Sequence, residues 1–262
     1  SRGLGDVYKR QDLLRIQRQR MIIITILLYM SIWASATPCR YTDSDFSFNV
    51  WSYNNITLPY RETVITAGGT QQKPILVIYL HGGLKRGSDN VRQMNEDAIY
   101  TIADYLCRNR INAFMIVPQC PDSLTWGVQT NEIIKNLVDE YMNKGKVNPD
   151  RIYLMGGSMG GTGVWKMASA YPYLFAAVMP VAGNPDTVDA ALLANTPVYT
   201  VMGTGDNLMD IAPVTSFMER LKELNRETIL DVENGWSHIK TCTESYTDKR
   251  LNWIFNHIRS SE

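Results

Sequence analysis

The chain has 262 residues, 45% of them hydrophobic and 20% charged, which is ordinary for a globular protein and enough to bury a sizeable core. Lysine plus arginine and aspartate plus glutamate balance at 26 each, so nothing favours a nucleic-acid or polyanion partner. No repeat, low-complexity tract or linker interrupts residues 40–262, which read as one domain.

The beginning is different. Residues 1–20 are polar and basic, and the apolar run Met21–Trp33 is followed by Ala34-Ser35-Ala36. A bilayer span takes about 20 apolar residues, so this run is too short for one and suits the h-region of a signal peptide, with Ala-Ser-Ala as its cleavage site. Residues 1–36 are therefore expected to be an N-terminal extension and signal peptide. Residues 37–262 would be the folded domain, secreted or periplasmic, with no stable membrane span after cleavage. An uncleaved anchor or a buried helix is the alternative. The residues before Met21 are either the n-region or sequence upstream of the true start.

Cys39, Cys107, Cys120 and Cys242 remain after cleavage. An even count in an exported chain permits disulfides, in any of three connectivities. Free buried thiols fit as well. A weaker expectation pairs Cys120 with Cys242, since both lie on predicted loops at the carboxyl ends of strands. No pair has zinc-ligand spacing, so no metal is expected.

Residues 45–65 hold alternating, aromatic-rich segments (Phe46, Phe48, Val50, Trp51; Leu58, Tyr60, Val64) that predict an antiparallel opening to a sheet. Asn55-Ile56-Thr57 is a glycosylation sequon. The continuous apolar run over residues 74–80 predicts a strand covered on both faces, ending in His81-Gly82-Gly83. Ser88-Asp89-Asn90 offers an N-cap to a helix whose stripe runs from Val91 to Leu106. A strand over residues 113–117 follows, then a loop carrying Trp126 and a long helix striped by Ile133, Ile134, Leu137, Val138 and Tyr141.

After the strand Ile152–Met155, further strands are predicted over residues 175–181, 197–202 and 228–232. Helices are predicted near residues 190–193, over residues 211–224, and around Leu251, Ile254, Phe255 and Ile258. Such alternation predicts an α/β protein with a mainly parallel sheet, helices on both faces and no large lid. Ligands of such sheets bind outside the carboxyl ends of strands.

One of those ends carries Gly156-Gly157-Ser158-Met159-Gly160 between a strand and a helix. That is the context of a nucleophile elbow: a turn so tight that the residues two before and two after the serine crowd each other. Ser158 is the candidate nucleophile. Three histidines could serve as its base. His257 lies beside the stripe of the last helix, and His81 shapes a glycine loop. His238 follows a strand on a predicted loop, where a base can reach the serine hydroxyl. The acid of such a site falls between nucleophile and base in chain order. Asp206 directly follows a strand, and Asp210 lies about one turn further on. Two backbone N–H groups must stabilise the oxyanion. Met159 should supply one, and the loop after Leu80 the other, through Gly83 with Leu84 as the alternative.

These motifs resemble the α/β-hydrolase superfamily, and within it the exported esterase and "predicted peptidase" branch near feruloyl and acetyl-xylan esterases and polyhydroxybutyrate depolymerases. The resemblance covers roughly residues 45–258. It rests on residues 79–83 (YLHGG), 86–90 (RGSDN), 118–121 with Trp126, 148–161 around Ser158, Pro172 with residues 175–177, and Asp206 with His238. It implies an α/β-hydrolase fold, a Ser158–Asp206–His238 triad, Gly83 and Met159 as oxyanion donors, and Trp126 beside the substrate cleft. It further implies a serine esterase that needs no cofactor and acts on a small-molecule or polysaccharide-linked ester, acetyl or feruloyl. A peptidase of the same fold and a non-catalytic binding module are the rival readings. Relatives usually carry histidine-glycine where this chain has Met202-Gly203, and a tryptophan after the catalytic histidine where it has Ile239.

Overall fold

The computed structural model describes residues 17–25, 39–66, 72–185, 187–225 and 227–259. The chain divides into two units, Ser1–Cys39 and Arg40–Glu262. In the first, residues 17–25 are helical with exposed side chains. The rest of the predicted apolar run, and the Ala34-Ser35-Ala36 cleavage site, lie outside the described residues. No helix among the described residues is long and apolar enough to cross a membrane.

The second unit opens with a hairpin of β1 (Ser47–Tyr53) and β2 (Ile56–Ile65). Its turn places Asn54 and Asn55 at φ 49° and 62°, the left-handed pair that a two-residue hairpin needs and asparagine tolerates. Then follow β3 (Ile75–Leu80), β4 (Ala113–Pro118), β5 (Ile152–Gly157), β6 (Ala177–Val181), β7 (Val198–Gly203) and β8 (Thr228–Glu233). The helices are α1 (Asp97–Arg108), α2 (Val128–Asn143), α3 (Met159–Ala170), α4 (Ile211–Leu224), α5 (His238–Glu244) and α6 (Asp248–Asn256).

The strands form one sheet in the order β1-β2-β4-β3-β5-β6-β7-β8. β2 joins β4 antiparallel, and from β4 to β8 all neighbours are parallel. Alternation along β3 sends Leu76, Ile78 and Leu80 to a core with residues of α2, α3 and α4. Ile75, Val77 and Tyr79 go to a second core with residues of α1 and α6. A strand buried on both faces has to be apolar throughout, which is why these strands show in the sequence as unbroken runs. The chain steps from β3 outward to β4 and then back past β3 to β5. That reversal opens a crevice above the carboxyl ends of β3 and β5.

Three helical expectations change. The helix predicted from the Ser88-Asp89-Asn90 cap starts only at Asp97. Asp89 Oδ1 accepts from the N–H groups of Val91 and Arg92, and Asn90 N–H donates to Gln119 Oε1 at 2.6 Å. These bonds hold the segment as a loop with a single 3-10 turn at Arg92–Met94. His238 does not sit on a loop, because it opens the short helix α5. The last helix ends at Asn256, leaving Ile258 63% exposed.

The cysteine expectation is corrected as well. Cys120 and Cys242 are free thiols, while Cys39 and Cys107 are both disulfide-bonded. Cys120 is buried in the core shared by α2, α3 and α4, and Cys242 packs against the core on the opposite face. The sheet lies between them.

Candidate active site

The elbow follows β5. Ser158 takes φ 59° and ψ −122°, a strained conformation for a residue with a side chain, and it caps α3. Crowding explains its glycines. A Cβ on Gly160 would lie 1.8 Å from the Leu80 carbonyl oxygen, and one on Gly156 would lie 2.6 Å from the same atom and 2.8 Å from the Gly160 carbonyl carbon. The turn thus closes by pressing backbone on backbone, and it delivers the serine hydroxyl to the crevice above β3 and β5.

The start of α5 and the loop after β7 complete a hydrogen-bonded chain from that hydroxyl. Ser158 Oγ donates to His238 Nε2 at 2.8 Å, and His238 Nδ1 donates to Asp206 Oδ2 at 2.7 Å. The Asp206 side chain is fully buried, and its Oδ1 accepts from the N–H groups of Leu208 and Met209 at 2.8 and 2.9 Å. Both carboxylate oxygens are therefore fixed. Asp210 is elsewhere, capping α4 through the Ala212 N–H. The acid and base loops are stitched together, since Gly205 N–H donates to the Trp236 carbonyl and Gly235 N–H to Thr204 Oγ1. The structure thus joins Ser158, His238 and Asp206 in one hydrogen-bonded chain and leaves Asp210 out of it.

The loop after β3 lies against the elbow. A Cβ on Gly83 would sit 3.8 Å from Met159 Cβ, and one on Gly82 would sit 3.6 Å from Ser158 Cβ. Met159 heads α3, where the first N–H groups have no partner within the helix. Gly82 itself has φ −72° and ψ 167°, ordinary extended backbone. Hydrogen bonds hold the loop in place. His81 Nε2 accepts from Cys120 N–H, which puts the ring proton on Nδ1, and Nδ1 donates to the Gly82 carbonyl at 2.7 Å. Burial lowers the His81 pKa to about 4, so its ring is neutral. Gly82 N–H donates to Glu96 Oε1 at 2.7 Å, and Tyr79 donates to Oε2 at 2.8 Å.

Trp126 takes part in this scaffold and does not border the cleft as expected. It is 1% exposed, and its indole N–H donates to the His81 carbonyl at 2.9 Å. Its size and apolar character made a substrate wall plausible, but a neighbour without space for a side chain claims the ring: a Cβ on Gly163 would lie 2.4 Å from Trp126 Cβ. Trp236 is half-buried with the Lys240 ammonium over its ring, and it too is away from the cleft lining.

The cleft above Ser158 and His238 holds about 640 Å³. Glu96 and Cys242 line it, and sequence reasoning had singled out neither for the site. Cys242 Sγ lies 3.9 Å from His238 Nε2. Burial, reinforced by the charges of Glu96 and Asp206, pushes this thiol up to about 12, so it stays protonated. The i, i+4 spacing of His238 and Cys242 would have revealed the neighbour had α5 been read as a helix. Burial raises the Glu96 pKa as well, against the lowering effect of its two hydrogen bonds. Three large apolar side chains, each from a different loop or helix, border the cleft in exposed positions: Leu84 (94% exposed), Leu208 (73%) and Ile239 (77%).

Comparison with known proteins agrees with this architecture. Residues 68–249 match the dienelactone hydrolase family. A stretch of 85 residues is 32% identical to poly(3-hydroxyalkanoate) depolymerase C of Paucimonas lemoignei, spanning 32% of this chain and 20% of the depolymerase. A thermostable esterase superposes with a TM-score of 0.76 at 22% identity, over 82% of this chain and 64% of the esterase. A feruloyl esterase module from Clostridium thermocellum, solved with sinapinate, gives 0.68 at 14% identity, over 86% of this chain and 92% of the module. The chain thus spans less than two thirds of the depolymerase and of the thermostable esterase.

Proposed function

The chain belongs to the dienelactone hydrolase family, and on that premise we propose that this hydrolase is a serine esterase working through an acyl-enzyme. Ser158 is the nucleophile, His238 its general base and Asp206 the residue that holds the imidazole in the required tautomer. Attack on an ester carbonyl forms a bond from Ser158 Oγ to the carbonyl carbon, and the serine proton passes to His238 Nε2. The oxyanion is received by the N–H groups of Met159 and Gly83. His238 returns the proton to the departing alkoxide, and the alcohol leaves. Water, deprotonated by the same histidine, then attacks the acyl-enzyme and frees the acid.

One observation carries the reading: the unbroken relay from Asp206 through His238 to Ser158, with spacings of 2.7 and 2.8 Å, at the floor of a cleft. The preferred substrate is an ester with an apolar or aromatic acyl group, such as a feruloyl or acetyl ester on a polysaccharide. Support comes from the apolar rim of the cleft, from its volume, which is in the usual range for small-molecule sites, and from the likeness to a feruloyl esterase module. The polymeric substrate would lie outside the cell if the signal peptide expected over residues 1–36 exports the chain.

A fluorophosphonate probe tests the nucleophile, and a panel of acetyl, butyryl and feruloyl esters beside peptide amides tests the substrate. Labelling that is lost in Ser158→Ala, with esters cleaved and amides spared, is the expected result. Labelling at another residue would overturn the mechanism. Amide cleavage as fast as ester cleavage would make the protein a peptidase.

A further inference from the structure

We propose that Glu96 is a positioning residue that keeps the Gly83 N–H aimed at the reacting carbonyl. The inference rests on the assignment of Ser158 as nucleophile and Gly83 as an oxyanion donor, and it adds a part which that assignment does not contain.

A peptide unit is planar and trans, so the direction of the Gly83 N–H is opposite to that of the Gly82 carbonyl. The orientation of one peptide plane therefore decides whether the donor points into the cleft. Nothing intrinsic to residues 82 and 83 fixes that plane, because two successive glycines sample more backbone conformations than any other pair. Gly82 sits in an ordinary extended conformation, so steric strain does not lock it either.

The tethers do. The Gly82 carbonyl accepts from His81 Nδ1 at 2.7 Å and from Lys85 N–H at 3.1 Å. The preceding peptide is held at both ends, its carbonyl by the Trp126 indole N–H and its N–H by Glu96 Oε1. Of these tethers, Glu96 is the one provided from the start of α1. It is itself held, since Tyr79 donates to its other oxygen from β3. Lining the cleft and bonded to the loop, Glu96 couples the start of α1 to the oxyanion donor. A buried carboxyl is costly to desolvate. A position whose only task was to fill space beside Ala98 and Cys242 would be better served by leucine or methionine.

Glu96→Ala and Glu96→Gln are compared with the parent and with Ser158→Ala. The readouts are kcat and KM on an aryl ester, thermal unfolding, and the inhibition constant of a trifluoromethyl ketone, whose serine adduct places an oxyanion in the hole. Removing an oxyanion donor outright costs about 10² to 10³ in kcat, so misaiming one should lower the kcat of Glu96→Ala by ~10- to 100-fold with KM within about threefold. The inhibitor should weaken by a similar factor. Glu96→Gln keeps an acceptor for the Gly82 N–H and should recover most of the activity. Unchanged kcat and inhibitor affinity in Glu96→Ala, a loss confined to KM, or Glu96→Gln as impaired as Glu96→Ala would each overturn the proposal. Should Glu96→Ala fail to fold, Tyr79→Phe frees Oε2 while keeping the ring. It should lower kcat and inhibitor affinity together by ~3- to 10-fold, and parental values would overturn the proposal. Activity surviving in Ser158→Ala would instead strike the nucleophile assignment, which separates the two failures.

Discussion

The floor of the cleft and its rim are built on opposite plans. On the floor every functional atom is tied down: Ser158 by a turn with no room for side chains, Asp206 by bonds to both oxygens, Gly82 by partners on both flanking peptides. On the rim, Leu84, Leu208 and Ile239 stand largely in solvent. The floor tolerates almost no displacement, because stabilising a transition state depends on groups placed before the reaction begins. The rim has only to offer apolar surface, which is non-directional. Rate should therefore reside in the floor and selectivity in the rim.

The sharpest test of that division is at the floor. Ser158→Ala should remove ester hydrolysis by ~10⁴-fold or more with the fold unchanged, because one hydroxyl on a preformed turn is lost. Residual activity within about tenfold of the parent would end the case for an acyl-enzyme on Ser158. Asp206→Asn should follow at ~10³- to 10⁴-fold, by favouring the wrong imidazole tautomer. Asp210→Asn provides the contrast. It should leave kcat nearly unchanged and cost at most ~1 kcal/mol, since Asp210 only caps α4 and asparagine is also a good cap. A larger catalytic loss from Asp210→Asn than from Asp206→Asn would reverse the two roles.

Much of the floor was legible in the amino-acid sequence. The strands of a two-sided parallel sheet are uninterrupted apolar runs, so residues 75–80 and 152–155 could be placed. The glycines around Ser158 mark the turn within a few residues of sequence, even though it is the Leu80 carbonyl of β3 that crowds them most. Asp206 and His238 followed from chain order and from the small number of histidines. What stayed hidden depends on contacts distant in sequence. Trp126 looked like a cleft wall, and only its bond to His81 and its packing on Gly163 show it to be scaffold. Glu96 drew no attention, because Ser88-Asp89-Asn90 mimics a cap and conceals that α1 begins at Asp97 with Glu96 before it. Helix α5 is too short to show a clear stripe, and with it the place of Cys242 beside His238 was missed.

The floor also carries a pH signature that the rim lacks. Burial holds His81 at about 4 against an ordinary value of 6.5. As pH falls below 6.5 the unfolded chain binds this proton before the folded one does. The contribution is thus fully present above about 6.5 and is lost progressively down to about 4, amounting to ~3 kcal/mol at 1.36 kcal/mol per pH unit. Urea unfolding of the parent and of His81→Gln at about pH 7 and pH 4 isolates it. The parent should lose ~3 kcal/mol more than the variant over that interval. Equal losses would mean that His81 titrates normally and that its ring is less desolvated than its burial indicates.

The smallest effects belong to the rim, and there the kind of change matters more than its size. Leu84 comes from the loop after β3, Leu208 from the loop after β7 and Ile239 from α5, so none depends on another for its place. With 94% and 77% of their surface exposed, Leu84 and Ile239 make few contacts that stabilise the fold, and Leu84→Ser or Ile239→Ser should leave the melting temperature almost unmoved. A bound acyl group that covers one of these side chains removes apolar area from water, at roughly 0.8 kcal/mol per methylene buried. An acetyl group extends one carbon beyond the acyl carbonyl carbon held on Ser158 Oγ, whereas a butyryl chain or a feruloyl ring projects further and offers more apolar surface to cover. Each substitution should therefore lower kcat/KM for butyryl and feruloyl esters by ~3- to 10-fold and for acetyl esters by less than about twofold. The ratio of the two is the measurement, because it cancels any general loss of active enzyme. A uniform fall across all three acyl groups would mean that the rim shapes the catalytic floor and does not select the substrate.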